Sequence, residues 1–156
     1  MPLRAVFITE CRWIRQCFWS YVLRPYDDVE RIVNRVIGCA IEVHRVLGPG
    51  LLESVYQECL PKELRLRGLA VQVKVQVPLE YKTEPLRSSF EIDLLVERCV
   101  VVEVKAVEAL HPVHEAQVIT YLKLTGCPAG LLLNFNNALL KNGLRRLDHP
   151  DRYLRK

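Results

Sequence analysis

No Cys-x-x-Cys pair occurs among the six cysteines, at positions 11, 17, 39, 59, 99 and 127. That scatter argues against a zinc or iron–sulfur site and for reduced thiols, the state expected of a cytoplasmic protein. No apolar run approaches the roughly 20 residues that span a bilayer, so no membrane-crossing helix is expected. The short run Ala5 to Ile8 is broken off by Glu10 and Arg12 before it reaches the length of a signal-peptide core. Internal repeats and low-complexity linkers are also absent. What remains is 156 residues of ordinary composition, 50% hydrophobic and 26% charged, enough for one domain with a real core.

Basic residues are scarce in the body of the chain. Residues 1–26 carry four arginines against Glu10, a balance of +3, and residues 141–156 carry six Lys/Arg against Asp148 and Asp151, a balance of +4. Residues 27–140 hold 12 basic and 15 acidic groups, a balance of −3. A protein that simply coats nucleic acid has a basic body, so this composition excludes that class. Contact with phosphates would fall to the C-terminal tail, a bound cation and individual lysines.

The stretch Phe90–Lys105 consists of two β-branched runs around a short polar turn, the pattern of a β-hairpin. Asp93, Glu103 and Lys105 sit inside it, where charge is costly unless paired or bound to a cation. A two-residue turn at Glu97-Arg98 sets Asp93 against Val102. A three-residue turn, Glu97-Arg98-Cys99, sets Asp93 against Glu103 and Ile92 against Val104. The second register gathers Ile92, Leu94, Val96, Val100, Val102 and Val104 on one face, and a one-residue slip would scatter them; the hydrophobic pattern therefore predicts the three-residue turn. Asp93 and Glu103 then share the other face with Lys105, and two opposed carboxylates repel. A divalent cation between them removes that repulsion in a hard oxygen site of the magnesium kind.

Asp93 followed by Glu103-Val104-Lys105 resembles the core of the PD-(D/E)xK nuclease superfamily. Gly50-Leu-Leu-Glu53-Ser-Val-Tyr56 matches the motif of its GxxExxY family, and Gln117-Val-Ile-Thr-Tyr121 is similar to the Gln-x-x-x-Tyr motif of the lambda-exonuclease-like branch. The resemblance runs from about Asp28 to Leu147. It implies an α/β fold, a restriction-endonuclease-like three-layer sandwich with a mixed central sheet flanked by helices. It also implies an enzyme, a nuclease using Mg²⁺ or Mn²⁺, with nucleic acid, expected to be DNA, as substrate. Asp93, Glu103 and the Val104 carbonyl would hold the metal, with Glu53 completing the set. Lys105 would orient the attacking water, and Gln117, Tyr121 and His114 would position the substrate strand. The alternative is a non-catalytic nucleic-acid- or protein-binding module on the same scaffold. Homodimerisation is left open.

Taken in order, residues 1–26 form an N-terminal extension in which Phe7, Cys11, Ile14, Phe18 and Tyr21 fall at helical spacing. The nuclease-like domain spans 27–148, and 149–156 is a basic tail. Asp27 or Asp28 is expected to cap a helix to Leu47, with Ile32, Val33, Val36, Ile37, Ala40 and Ile41 inward. A second helix runs from Leu51 to Arg67, and Pro61 is expected to kink or split it. Val71 to Tyr81 alternates as a strand with its valines on one face, ending near Pro78, and Lys82 to Ser88 is expected to be a loop. His111-Pro112 opens a helix with His114, Gln117 and Tyr121 on a polar face. Ala129 to Phe135 is a buried strand, and Leu139–Leu147 is either a short helix or a strand. The helix between Lys105 and Ala129 is a crossover that makes those two strands parallel.

Overall fold

The computed structural model describes residues 25–151. The expected N-terminal amphipathic helix, and all but the first residues of the basic tail, lie outside the described residues.

Helix α1 (Tyr26–Leu47) begins directly after Pro25, one turn earlier than an Asp28 cap would allow. Asp27 and Asp28 instead lie in its first turn, where the exposed N–H groups favour acidic side chains. Its inward stripe is Val29, Ile32, Val33, Val36, Cys39, Ala40 and Val43; Ile41, expected inside, is exposed. Helix α2 (Glu53–Leu66) ends at Gly68, whose φ of 74° lets its N–H reach the Arg65 carbonyl while Leu69 N–H bonds Leu64. Of the expected kink or split at Pro61, the split does not occur: the helix runs through it. Its ring is buried, and the missing N–H removes one ladder bond, to the Gln57 carbonyl, without ending the turn.

The sheet holds five strands in the order β1 (Val71–Tyr81), β2 (Glu84–Val96), β3 (Val100–Lys105), β4 (Ala129–Asn134) and β5 (Leu144–Asp148). All neighbours are antiparallel except β3 and β4, which run parallel across helix α3 (Pro112–Thr125). A 3₁₀ turn at Leu140–Asn142 precedes β5, which resolves the untyped terminal segment as a strand. Helices α1 and α2 pack on one face over Leu94, Val96, Val100, Val102, Val104, Leu131 and Leu133. Helix α3 packs on the other over Ile92, Leu95, Val101 and Leu132. The result is an α/β three-layer sandwich with a mixed sheet, consistent with a restriction-endonuclease-like fold.

The β2–β3 register is the three-residue one, with Leu94 opposite Val102 and Val96 opposite Val100. Two details of the hairpin differ from the sequence reading. Lys82 to Ser88 is not a loop: β1 runs through Pro78 to Tyr81, and Lys82 and Thr83, both at positive φ, make a tight turn into β2. Pro78 is tolerated because β1 is an edge strand. In addition, Ile92 does not share a face with Val104; it lies in the α3-side core. Between the pairs Val73–Leu94 and Val75–Ile92, Lys74 adopts a φ of 52° and Asp93 opposite it is unpaired. Both strands change face there, so Val71 packs under α1 and α2 while Val75 and Val77 pack under α3.

Candidate active site

Asp93 sits where that change of face occurs, and there β2 leaves β3. Strand pairing stops at Leu94–Val102, and the next N–H of β3 on that side, from Val104, donates to Asp93 Oδ2 at 2.9 Å. A side chain thus takes the bond a strand would have supplied. The N–H and C=O of a strand residue point toward the same neighbour, so the Val104 carbonyl also faces the gap.

Glu103 lies one residue earlier on β3 and is 3% exposed. Its Oε1 accepts from Lys105 Nζ at 2.9 Å. Its Oε2 is buried with no hydrogen-bond partner, the one such side-chain atom among the described residues. Burial, then the charge of Asp93, pushes the Glu103 carboxyl up to about 7 against the opposing pull of Lys105. Burial likewise raises Asp93, although the Val104 N–H and Lys105 oppose it. Burial pulls Lys105 down, but its bond to Glu103 and the surrounding carboxylates outweigh this and raise it, so it is a cation at neutral pH. One cation therefore faces two buried carboxyl groups, with Glu53 close enough to act on all three.

Glu53 opens α2. Its Oε2 accepts from Ala106 N–H at 3.3 Å, and its Oε1 accepts from Gln57 Nε2 at 3.2 Å. Gln57, one turn along the same face, also donates to Asp93 Oδ1 at 3.3 Å. Tyr56 faces elsewhere. Its buried hydroxyl donates to the Gly48 carbonyl at 2.6 Å and accepts from Leu51 N–H, and its ring stacks on Phe135 at 4.5 Å. It fixes the turn that delivers Glu53.

Helix α3 borders the other side. Tyr121 is not on an exposed polar face: it is 1% exposed, packed with Val118 and Leu122. Its hydroxyl donates to the Glu91 carbonyl at 3.1 Å and accepts from Gln117 Nε2 at 2.6 Å, so the pair fastens β2 just before Asp93. His114 Nδ1 accepts from His111 N–H at 3.0 Å, closing the first turn of the helix. Burial, then the charge of Lys105, lowers the His114 pKa.

Two supports were not apparent in the sequence. Gln57 was legible only as the residue four after Glu53. Asn134, 1% exposed at the end of β4, accepts from Val107 N–H at 3.0 Å and donates to its carbonyl at 2.9 Å, holding the chain as it leaves Lys105. Its neighbour in sequence, Phe135, bonds the Lys105 carbonyl. No sequence pattern marks this asparagine apart from its place at a strand end. The expected phosphate-facing role of the C-terminal charges is narrowed, because Arg146 forms a forked pair with Glu30 of α1 and a second contact with Asp148.

A mixed sheet between helices, opened at one point around two buried carboxyls and a lysine, defines the class of restriction-endonuclease-like proteins. The chain belongs to the PD-(D/E)XK nuclease superfamily, whose family model matches residues 30–147. No curated protein and no solved structure matches the chain.

The superfamily generally uses a divalent metal, and the residues here fit one. Glu103 Oε2 is a buried acceptor without a donor, beside a second carboxylate that repels it. Among the described residues no three acidic, histidine or cysteine side chains converge into a cage. Two carboxylates and one backbone carbonyl form a hard oxygen donor set of the kind that suits a divalent cation retaining part of its water shell.

Proposed function

We propose that the protein is a Mg²⁺- or Mn²⁺-dependent nuclease of the GxxExxY family that hydrolyses phosphodiester bonds, with DNA as substrate. The observation that carries this reading is the buried Glu103 Oε2, which has no hydrogen-bond partner and lies within electrostatic reach of Asp93, the residue at the gap. When bound, the ion polarises the phosphoryl oxygen and acidifies a water molecule. Asp93 and Glu103 would supply the negative charge that holds it, Asp93 fixed by the Val104 N–H and Glu103 by Lys105. Glu53, tied to the chain just after β3, would add negative charge near the pair without joining them as a direct third member. Lys105 is held against Glu103 and would offset the charge that develops on the phosphate. His114 and Gln117 of α3 would contact the substrate strand, and Tyr121 positions the strand that carries Asp93. These contacts are suited to phosphate rather than to base edges, so cleavage without strong sequence preference is expected. The reading places the protein in the cytoplasm.

The test is a panel of linear, circular, branched and single-stranded DNA, with RNA counterparts, incubated with Mg²⁺, Mn²⁺ or EDTA. Cleavage of DNA that EDTA abolishes is expected. Nucleic-acid binding with no cleavage in any metal would replace this reading with a non-catalytic binding module.

A further inference from the structure

We infer that Gln57 is a positioning residue for the metal-holding carboxylates: its amide sets the spacing and orientation of Asp93 relative to Glu53. The inference rests on the nuclease reading and extends it to a residue outside the superfamily motif.

The argument starts from what surrounds the amide. Its two hydrogen-bonding neighbours, Glu53 Oε1 at 3.2 Å and Asp93 Oδ1 at 3.3 Å, are both carboxylate oxygens that can only accept when ionised. The NH₂ group must therefore be the end that faces them, whichever way the amide is drawn. One nitrogen with two hydrogens bridges two like charges carried by different elements, α2 and β2. Without it, the two carboxylates are left to repel across the opening.

Asp93 is thereby fixed at both oxygens, Oδ1 by Gln57 and Oδ2 by Val104 N–H. Its remaining lone pairs are directed rather than free to rotate. Glu53 is fixed likewise, by Gln57 and Ala106 N–H. The position also spans the weak point of the sheet, because α2 reaches β2 through Gln57 and the end of β3 through Glu53. Gln57 is half-buried on a continuous helix, so the amide is carried by a rigid support. Hydrogen bonds that orient metal-holding side chains commonly matter by about 10- to 100-fold in metal affinity or activity.

The experiment uses the full chain and Gln57→Met, which keeps the side-chain length but has no N–H, with Glu58→Gln as a control. Glu58 lies on the outer face of the same helix, paired with Lys62 in solvent. Mn²⁺ affinity is measured by calorimetry, melting temperature in EDTA, and kcat and KM on a linear DNA duplex. Gln57→Met is expected to weaken Mn²⁺ binding and lower kcat by about tenfold or more each, with KM for DNA little changed. Gln57→Asn, a methylene too short to reach both carboxylates, is expected to show the same loss in smaller degree, and Glu58→Gln none. Should Gln57→Met fail to fold, Gln57→Asn carries the test. Unchanged Mn²⁺ affinity and kcat in these variants, with an active wild type, would overturn the role of Gln57 alone. A wild type that neither binds Mn²⁺ nor cleaves would overturn the nuclease reading and this inference together.

Discussion

Glu103→Gln isolates the charge at the centre of the site. In the metal-free protein Glu103 is held at about 7 rather than 4.5, mainly by burial and then by Asp93. A carboxyl raised in the folded state binds its proton more tightly there than in the unfolded chain. Its favourable contribution is complete below pH 4.5 and is lost as pH climbs through 7, because the unfolded chain then releases the proton first. The displacement corresponds to about 3 kcal/mol, at roughly 1.4 kcal/mol per pH unit. For a domain of this size that is on the order of 10 °C in melting temperature. Wild type in EDTA should therefore melt lower at pH 8 than at pH 5, while Glu103→Gln, whose amide does not ionise, should lose most of that slope. Saturating Mn²⁺ should flatten the wild-type profile as well, because the cation offsets the buried charge. Differential scanning calorimetry from pH 5 to 8 decides it. A wild-type slope no steeper than the variant's would mean that Lys105 outweighs burial and that Glu103 is already ionised at pH 5, which would remove the physical case for a missing cation.

Asp93→Asn keeps the shape that accepts Val104 N–H, so the fold should persist and melt higher in EDTA near neutral pH, while calorimetric Mn²⁺ affinity drops and cleavage nearly disappears. Lys105→Ala should retain or improve Mn²⁺ affinity, since a neighbouring positive charge is gone, yet reduce turnover by about 10²–10³ in a steady-state assay. Tyr121→Phe removes a buried donor from the Glu91 carbonyl and should destabilise by about 1–3 kcal/mol in urea titrations. Gly143→Ala should be at least as damaging by the same measurement, because its Cβ would sit 2.4 Å from the Asn134 backbone oxygen and displace the residue that holds Val107.

The central hairpin was legible because its hydrophobic alternation permits one register only, and the parallel pairing of β3 with β4 followed from the helix between them. Lys82–Ser88 was misread for a definite reason: tight hairpin turns advertise themselves through glycine or asparagine, and here Lys82 and Thr83 take up positive φ instead. The change of face at Lys74 and Asp93 left no trace either, since four alternating valines describe a regular strand equally well. Tyr121 looked polar by helical arc because its ring and its hydroxyl answer to different surroundings; the ring is core and the hydroxyl is a strut. Asp93, Glu103 and Lys105 were visible as charges without an excuse in apolar strands. Gln57 and Asn134 carry no charge, and only three-dimensional contact shows what each one holds.

The departure of β2 from β3 at Asp93 divides the sheet into two mechanical parts. Inward of that point β2, β3 and β4 have neighbours on both sides and helices over both faces. Outward of it, β1 and β2 are a two-stranded ribbon whose residues 80–89 are exposed, and such a ribbon alone is marginally stable in water. Amide hydrogen exchange should therefore be sharply uneven along β2. Leu94, Leu95 and Val96 should open only with global unfolding, whereas amides beyond Glu91, where the Tyr121 tether ends, should exchange by fast local fraying. The boundary between those two regimes falls within two residues of Asp93, so the outer ribbon can bend while the buried carboxyl groups behind it stay in place.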